Sequence, residues 1–319
     1  PIPGLRESRY VLDSSGALKQ DERPKSIVII GGGVIGVEMA CAFCALGCRT
    51  IIVEALPRLL PSMDMELSFQ LSEYLKCLGI DLFLGAKVLQ VQDQEMGASV
   101  LIEGDKGKQK LIADRIICAA GRKPNTMLLN PEAGGLRCHQ GRIIVDEHQQ
   151  TNIPGVYAVG DCSSGIMLAH TASIQGEIAA ENAMGGQSVY QADLVPSGVY
   201  SFPELAGVGL TEEQANQRGI PFHVGRFPLS ANGRALIEND GMGMVKILVG
   251  EEVGELLGIH ILAPHATELI AAAAMALSME GTVDDVIHTI FAHPTISEAI
   301  REAALAAEER PIHTVRKTK

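Results

Sequence analysis

Four consecutive apolar residues, Ile27 to Ile30, run into Gly31-Gly32-Gly33, then a helix-permissive stretch, then a second β-branched run, Thr50 to Val53. Short apolar runs flanking a glycine break and a helical segment predict strand, turn, helix and parallel strand. Leu67 to Leu78 reads as a further helix, and Ile80–Leu84, Lys87–Val91, Ser99–Ile102 and Arg115–Ala119 as short strands, which makes residues 24–122 an α/β domain. Within Gly121 to Asn125, Pro124 disfavours helix at Lys123 and lacks a ladder donor, so a boundary falls there. Residues 123–194 hold two short strands around turns between Arg142 and Asp161, then a helix over Leu168–Met184. Beyond Pro196 come short strands at Val199–Ser201, Gly207–Leu210, Phe222–Phe227, Met244–Val249 and Leu256–Ile261, followed by helices at 267–279, 283–290 and 296–307. Strands followed by helices predict a separate α+β domain over 195–319. Residues 1–23, polar and turn-rich, read as a connection arriving from something upstream.

Charge and composition narrow the partners. The 319 residues carry 26 Lys+Arg against 38 Asp+Glu, a net charge of −12, the wrong sign for nucleic acid or an anionic membrane. The longest strongly apolar run, Leu269 to Leu277, is far short of the roughly 20 residues a membrane span requires, and reads as a buried helix. The opening PIPGLRESRY has neither the basic region nor the apolar core of a secretory signal, and Pro1 reads as a cut or processing point. Seven cysteines, at 41, 44, 48, 77, 118, 138 and 162, form an odd set that fits a reducing cytoplasm, or a mitochondrial matrix in a eukaryote, better than a disulfide framework.

Gly31, Gly33 and Gly36 form G-x-G-x-x-G between a strand and a helix, where the glycines allow a tight turn, close approach of a pyrophosphate and packing of helix on strand. Glu54 ends the second strand, 23 residues after Gly31, where a carboxylate accepts from a ribose 2′-OH and repels a 2′-phosphate, so NAD is favoured over NADP. Arg58 is the nearby cation and reads as a solvated loop residue. Cys41, Cys44 and Cys48 are spaced to share one face of the first helix and read as core; a zinc site lacks its second ligand pair, so no metal is expected. Asp161 either hydrogen-bonds a ligand hydroxyl or caps the following turn. In Phe291 to Ala299, Pro294 suits an early turn and Thr295-x-x-Glu298 fits a capping box, which leaves His293 over. A histidine with a carboxylate in reach is also the recipe for a general acid/base, and both readings stand on spacing.

GGGVIGVE with VEALPRLLP, ICAAGRKPN, GVYAVGDC followed by MLAH, and AHPTISEA together resemble the pyridine nucleotide-disulfide oxidoreductases, in particular those acting on dihydrolipoyl groups, over the whole chain. The resemblance implies a Rossmann-type α/β NAD domain at 24–122, part of an FAD domain at 123–194 and an α+β dimerisation domain from 195. It implies NAD contacts at Gly31, Gly32, Gly33, Val34, Ile35, Gly36, Val37, Glu38, Glu54, Val88 and Gly121. Flavin contacts are implied at Asp161, Met167, Leu168, Ala169 and His170. His293 would accept the proton of the substrate dithiol and Glu298 would orient it, acting across a homodimer on the other subunit's flavin and disulfide; the partners would be lipoyl-bearing proteins of a multienzyme complex. Members of this family also begin with an FAD-binding G-x-G-x-x-G and a redox Cys-x4-Cys followed by Lys, and neither is present here. Cys44 and Cys48 differ by four positions, not five. The chain is therefore expected to be the family without its N-terminal FAD portion, with 1–23 the connection from it, and inactive alone. Glutathione reductases usually prefer NADP, against Glu54, and mercuric reductases use C-terminal cysteines, none of which follows Cys162. A soluble transhydrogenase and a non-catalytic NAD-binding dimerisation module remain as alternatives.

Overall fold

In this computed structural model residues 2–163 and 165–315 are described, and Pro1, read above as a boundary, lies outside them. The chain divides into two units, Pro1–Gly121 with Pro196–Lys319, and Arg122–Val195.

The first unit opens with β1 (Val11–Leu12) and α1 (Ser14–Leu18), followed by β2 (Ser26–Ile30), α2 (Val34–Ala45), β3 (Arg49–Glu54), α3 (Met65–Cys77) and β4 (Asp81–Leu84). A meander of β5 (Lys87–Asp93), β6 (Ala98–Gly104) and β7 (Gly107–Ala113) precedes β8 (Arg115–Cys118). The strands order as β1-β8-β2-β3-β4, all parallel, with β5-β6-β7 a separate antiparallel sheet. Ile27 and Ile29 of β2 pack in one layer with Val37, Ala40, Leu67 and Leu71 of α2 and α3. Val28 and Ile30 pack in the other with Val100 and Ile102 of the meander. Burial on both faces is why this strand is continuously apolar.

Three expectations change here. Residues 1–23 are more than a connection: β1 adds a parallel edge strand, Val11 and Leu12 registering with Ile116 and Ile117. β7 was not foreseen, because a Lys-rich strand with one solvated face carries little apolar signal. Cys48 is not on α2, which ends at Ala45; Gly47 turns the chain at φ 81°, and Cys48 is buried beyond it with its N–H donated to the Phe43 carbonyl. Cys41 is buried and Cys44 half-buried, as the packing reading of those two requires. Burial pushes the Cys41 thiol up to about 11, so it stays protonated and inert near neutrality.

In the second unit β9 (Cys138–His139) and β10 (Arg142–Ile143) pair briefly, a 3-10 turn spans Gly160–Cys162, and α4 (Ala169–Ala183) is the long helix. The strand expected to end at Gly160-Asp161 is absent: a strand needs a neighbour, and outside β9 and β10 the described residues supply only the Ile143–Ser163 and Gln150–Tyr157 bridges.

The first unit resumes with β11 (Ser197–Val199), β12 (Glu204–Gly209), α5 (Glu212–Arg218), β13 (Phe222–Pro228), α6 (Gly233–Asn239), β14 (Met244–Gly250), β15 (Leu256–Ala263), α7 (Ala266–Ser278), α8 (Val283–His288) and α9 (Glu298–Ala307). The antiparallel order is β11-β12-β15-β14-β13; α7 packs on β12 and β15, and α9 on β13 and β14. The short helices α5 and α6 were not expected; each lies between strands and begins on a side-chain cap, Thr211 and Asn232. No helix among the described residues is long and apolar enough to cross a membrane.

This sheet joins the start of α3 through a buried charge cluster. Lys246 on β14, 1% exposed, lies 2.9 Å from Asp64 (0% exposed), 3.0 Å from Glu66 and 2.7 Å from Glu212, and Arg226 pairs with the same two glutamates. Next to it the buried His260 donates Nε2–H to the Leu210 carbonyl at 2.9 Å. Burial holds His260 below its ordinary 6.5, so the native state resists protonation there. As pH falls below 6.5 the unfolded chain takes up a proton the folded one does not, and stability is expected to drop by up to about 1.4 kcal/mol per pH unit. Urea midpoints across that range should fall less for His260→Gln, whose amide keeps a donor for Leu210, than for the parent.

Candidate active site

The glycine loop is shaped by contacts that admit no side chain. A Cβ on Gly36 would stand 1.9 Å from the Gly31 carbonyl oxygen, so α2 lies against the loop at that residue. Gly33 differs: its φ of −75° suits any residue, and nothing lies within 4 Å of the position a Cβ would take. That open space faces a cavity of about 580 Å³ lined by Gly31, Gly33, Glu54, Val88 and Gly121 among others. Four chain segments, the turns after β2, β3 and β8 and the start of β5, therefore meet in one place. Glu54 is already fixed there, its Oε2 accepting from the Gly32 N–H at 2.5 Å and its Oε1 from the Leu56 N–H at 2.7 Å.

The remaining residues of the motif stand behind the cavity. Gly32 forms the loop's back against Leu59 and Glu54, while Val34, Ile35, Gly36 and Val37 begin α2, with Gly36 and Val37 buried. Glu38, one turn on, accepts the Tyr200 N–H at 3.0 Å. Lys87, the residue before Val88, lines the same cavity and was missed by the sequence reading, since an exposed lysine at a strand start carries no signal of its own. Arg58 is not a solvated loop residue: it pairs with Glu213 at 3.0 Å and donates to the Pro61 carbonyl at 2.9 Å.

His293 and Glu298 are brought together elsewhere in this unit. The His293 Nδ1–H donates to Glu298 Oε2 at 3.0 Å, and the imidazole, 80% exposed, lines a cavity of about 630 Å³. The capping box expected at Thr295 and Glu298 does not form. α9 starts at Glu298 after Ser297, the Thr295 hydroxyl donates to the Ala292 carbonyl, and the Glu298 carboxylate serves His293 instead. With Nδ1 committed to a carboxylate, Nε2 is the basic nitrogen left for a substrate proton. The same cavity is lined by Asn232, Glu302 and His313, which lie too far off in sequence to be grouped with His293 by spacing.

In the second unit Asp161 sits exposed in the 3-10 turn. Leu168 is the cap of α4 without a side-chain cap bond, Met167 precedes it, and Ala169 and His170 form its first turn. The backbone here is held by Gln175, whose buried Oε1 accepts the Gly160 N–H at 2.8 Å. An uncapped helix start beside an exposed carboxylate suits a ligand bearing both phosphate and hydroxyl groups. Among the described residues no group of His, Cys, Asp and Glu could hold a metal ion, and all seven cysteines are free thiols.

Comparison with known proteins agrees over most of the chain. Residues 1–176 match the pyridine nucleotide-disulphide oxidoreductase family, and residues 195–304 its dimerisation domain. Mitochondrial dihydrolipoyl dehydrogenase of Pisum sativum is 40% identical over 98% of this chain and 63% of its own length. Dihydrolipoyl dehydrogenase of Geobacillus stearothermophilus is 37% identical over 99% of this chain and 67% of its own. Among solved structures, the HOCl-induced flavoprotein disulfide reductase RclA from Escherichia coli superposes with a TM-score of 0.84 at 30% identity, covering 94% of this chain and 69% of that one. The chain thus spans a little under two thirds of the length of the Pisum sativum protein.

Proposed function

We propose that this chain, which belongs to the pyridine nucleotide-disulphide oxidoreductase family, supplies the NAD site and the proton-accepting base of a dihydrolipoyl dehydrogenase. The overall reaction takes a protein-bound dihydrolipoyl dithiol to its disulfide and reduces NAD+ to NADH, releasing one proton. The observation that carries this reading is His293, held by Glu298 through Nδ1 and open to a cavity through its other nitrogen.

The nucleotide fits the loop on the evidence of Gly33, where a side chain would intrude on the space of a pyrophosphate and on nothing else. Gly31, Gly33 and the first turn of α2 would hold the phosphates, and Glu54 the adenosine ribose. Asp161 and the Met167–His170 segment would hold part of a flavin. When bound, the flavin accepts the electron pair of the dithiol system and NAD+ carries it away as hydride. The work of this chain's own residues is positional and protonic. His293 Nε2 accepts the proton of the first substrate thiol, Glu298 stabilises the imidazolium, and the thiolate attacks the redox disulfide that members of the family use, a bond the seven free cysteines here do not form. The dimerisation domain would join two copies, presenting His293 to the partner's redox centre.

Two glycine variants separate nucleotide recognition from folding. Gly33→Ala is expected to leave the unfolding midpoint of the chain unchanged and to weaken NADH binding at least tenfold by fluorescence titration. Gly36→Ala, whose Cβ meets backbone at 1.9 Å, is expected to lower both.

The reading is tested by assaying the full-length flavoprotein, redox disulfide included, with dihydrolipoamide and either NAD+ or NADP+. Oxidation of dihydrolipoamide with a strong preference for NAD+ supports it; hydride exchange between the two nucleotides without dithiol oxidation makes the protein a transhydrogenase. A second reading, a non-catalytic NAD-binding dimer, predicts NADH binding with no bound flavin.

A further inference from the structure

The cavity beside the glycine loop is lined by two charged side chains among the described residues, Glu54 and Lys87. Their nearness is built by the backbone. Leu84, the last residue of β4, registers with Glu54, and Gly85 turns the chain at φ 65°. The Gly85 and Ala86 N–H groups then donate to the Leu56 and Glu54 carbonyls at 2.8 Å and 2.9 Å. The start of β5 is thereby folded back beside the end of β3, and Lys87 is the next residue. Glu54 is fixed, its Oε2 accepting from the Gly32 N–H at 2.5 Å and its Oε1 from the Leu56 N–H at 2.7 Å. Lys87 is exposed, and among the described residues no carboxylate pairs with it; Glu103, opposite it on β6, does not line the cavity. Arg58, the cation of the loop after β3, pairs with Glu213 at 3.0 Å and does not line the cavity either.

We infer that Lys87 sets how strictly this cavity rejects a 2′-phosphate: it is the cation that a phosphate on the adenosine ribose would meet, and it offsets the repulsion exerted by Glu54. This rests on the nucleotide site proposed above. A ribose whose 2′-OH is held by Glu54 lies at the end of the cavity where Lys87 begins, so a phosphate there stands between a fixed carboxylate and a solvated ammonium. The carboxylate prevails because two N–H groups hold it in place, whereas an exposed lysine must give up water and rotamer freedom to make its contact. The preference for NAD is then a difference between two opposed charges rather than the work of Glu54 alone.

Lys87→Gln removes the charge from an exposed, unpaired side chain, so the unfolding midpoint of the chain should not move. By competition against NADH fluorescence on this chain, NADP+ is expected to bind several-fold more weakly to the variant than to the parent, and NAD+ to stay within about twofold. In Glu54→Gln, NADPH affinity is expected to rise by about tenfold or more as a like-charge contact is relieved, and adding Lys87→Gln should reverse most of that rise. An unchanged NADP+ affinity in Lys87→Gln overturns the inference. So does an equal loss for NAD+ and NADP+, which would make Lys87 a contact for the pyrophosphate that both share. A Glu54→Gln protein that folds and gains nothing for NADPH overturns it too, and if that variant does not fold, the comparison of Lys87→Gln with the parent decides. A parent chain that binds neither nucleotide removes the proposed site and the inference with it, whereas the other outcomes leave the site standing.

Discussion

Replacing His293 with Gln in the full-length flavoprotein, redox disulfide included, should slow dihydrolipoamide oxidation by roughly 10²- to 10⁴-fold, the span typical of a lost general base. NADH affinity should stay at the parent value, because His293 lines a different cavity from the glycine loop. Gln retains an amide donor for Glu298, so the start of α9 is preserved and the unfolding midpoint should not move. What is lost is the nitrogen that takes the thiol proton. Steady-state turnover with dihydrolipoamide, beside NADH binding by fluorescence, reads both arms. Turnover within a few-fold of the parent would remove His293 from the mechanism. Glu298→Gln should have a smaller effect of the same kind: the imidazole keeps a hydrogen-bonding partner but loses the charge that stabilises its protonated form.

Lys246→Ala should be the most damaging single change to stability, at about 3–5 kcal/mol, because it removes one partner of a buried ion pair and strands the other. Asp64, 0% exposed, is the group left behind, since Glu66 and Glu212 keep Arg226. Burial alone would push the Asp64 carboxyl up, but the Lys246 ammonium and the Leu67 N–H outweigh it and hold it below its ordinary 3.8. Burial alone would lower Lys246, but hydrogen bonds to Glu212, Asp64 and Glu66 hold it above 10.5. The contribution of a depressed carboxyl is present above its unfolded value and fades as acid protonates it. That of a raised amine is present below its unfolded value and fades as alkali removes its proton. The pair should therefore stabilise fully between about pH 4 and pH 10 and weaken outside. Urea denaturation of Lys246→Ala should show the loss at neutral pH, and the double variant Asp64→Asn with Lys246→Met should recover much of it, since no buried charge is left alone. A single variant as stable as the parent would mean that the cluster contributes nothing to the seam between α3 and the antiparallel sheet.

What could be read from the order of residues was whatever neighbours decide. The runs Ile27–Ile30 and Thr50–Val53, with glycines between, determine a strand-turn-helix-strand unit because each step involves residues a few positions apart, for which chain closure costs little. His293 and Glu298 are five residues apart, so their pairing was legible too, although not the choice between capping a helix and holding an imidazole. That choice fell to the fold: α9 begins at Glu298 itself, too late for the carboxylate to reach back to Thr295. The tertiary structure alone decided which distant segments meet. Gly121 joins Glu54 because parallel β8 and β3 deliver their ends to one edge, Val88 joins them because β5 starts just after parallel β4 ends, and Lys246 meets Asp64 across 182 residues because the antiparallel sheet packs on α3. β7 became a strand because β6 offered it a ladder, not because its lysines prefer one. His313 reached the cavity of His293 for a similar reason: the chain folds back along α9 after that helix ends, and the carboxylate that receives it, Glu302, is buried by packing that no local pattern announces.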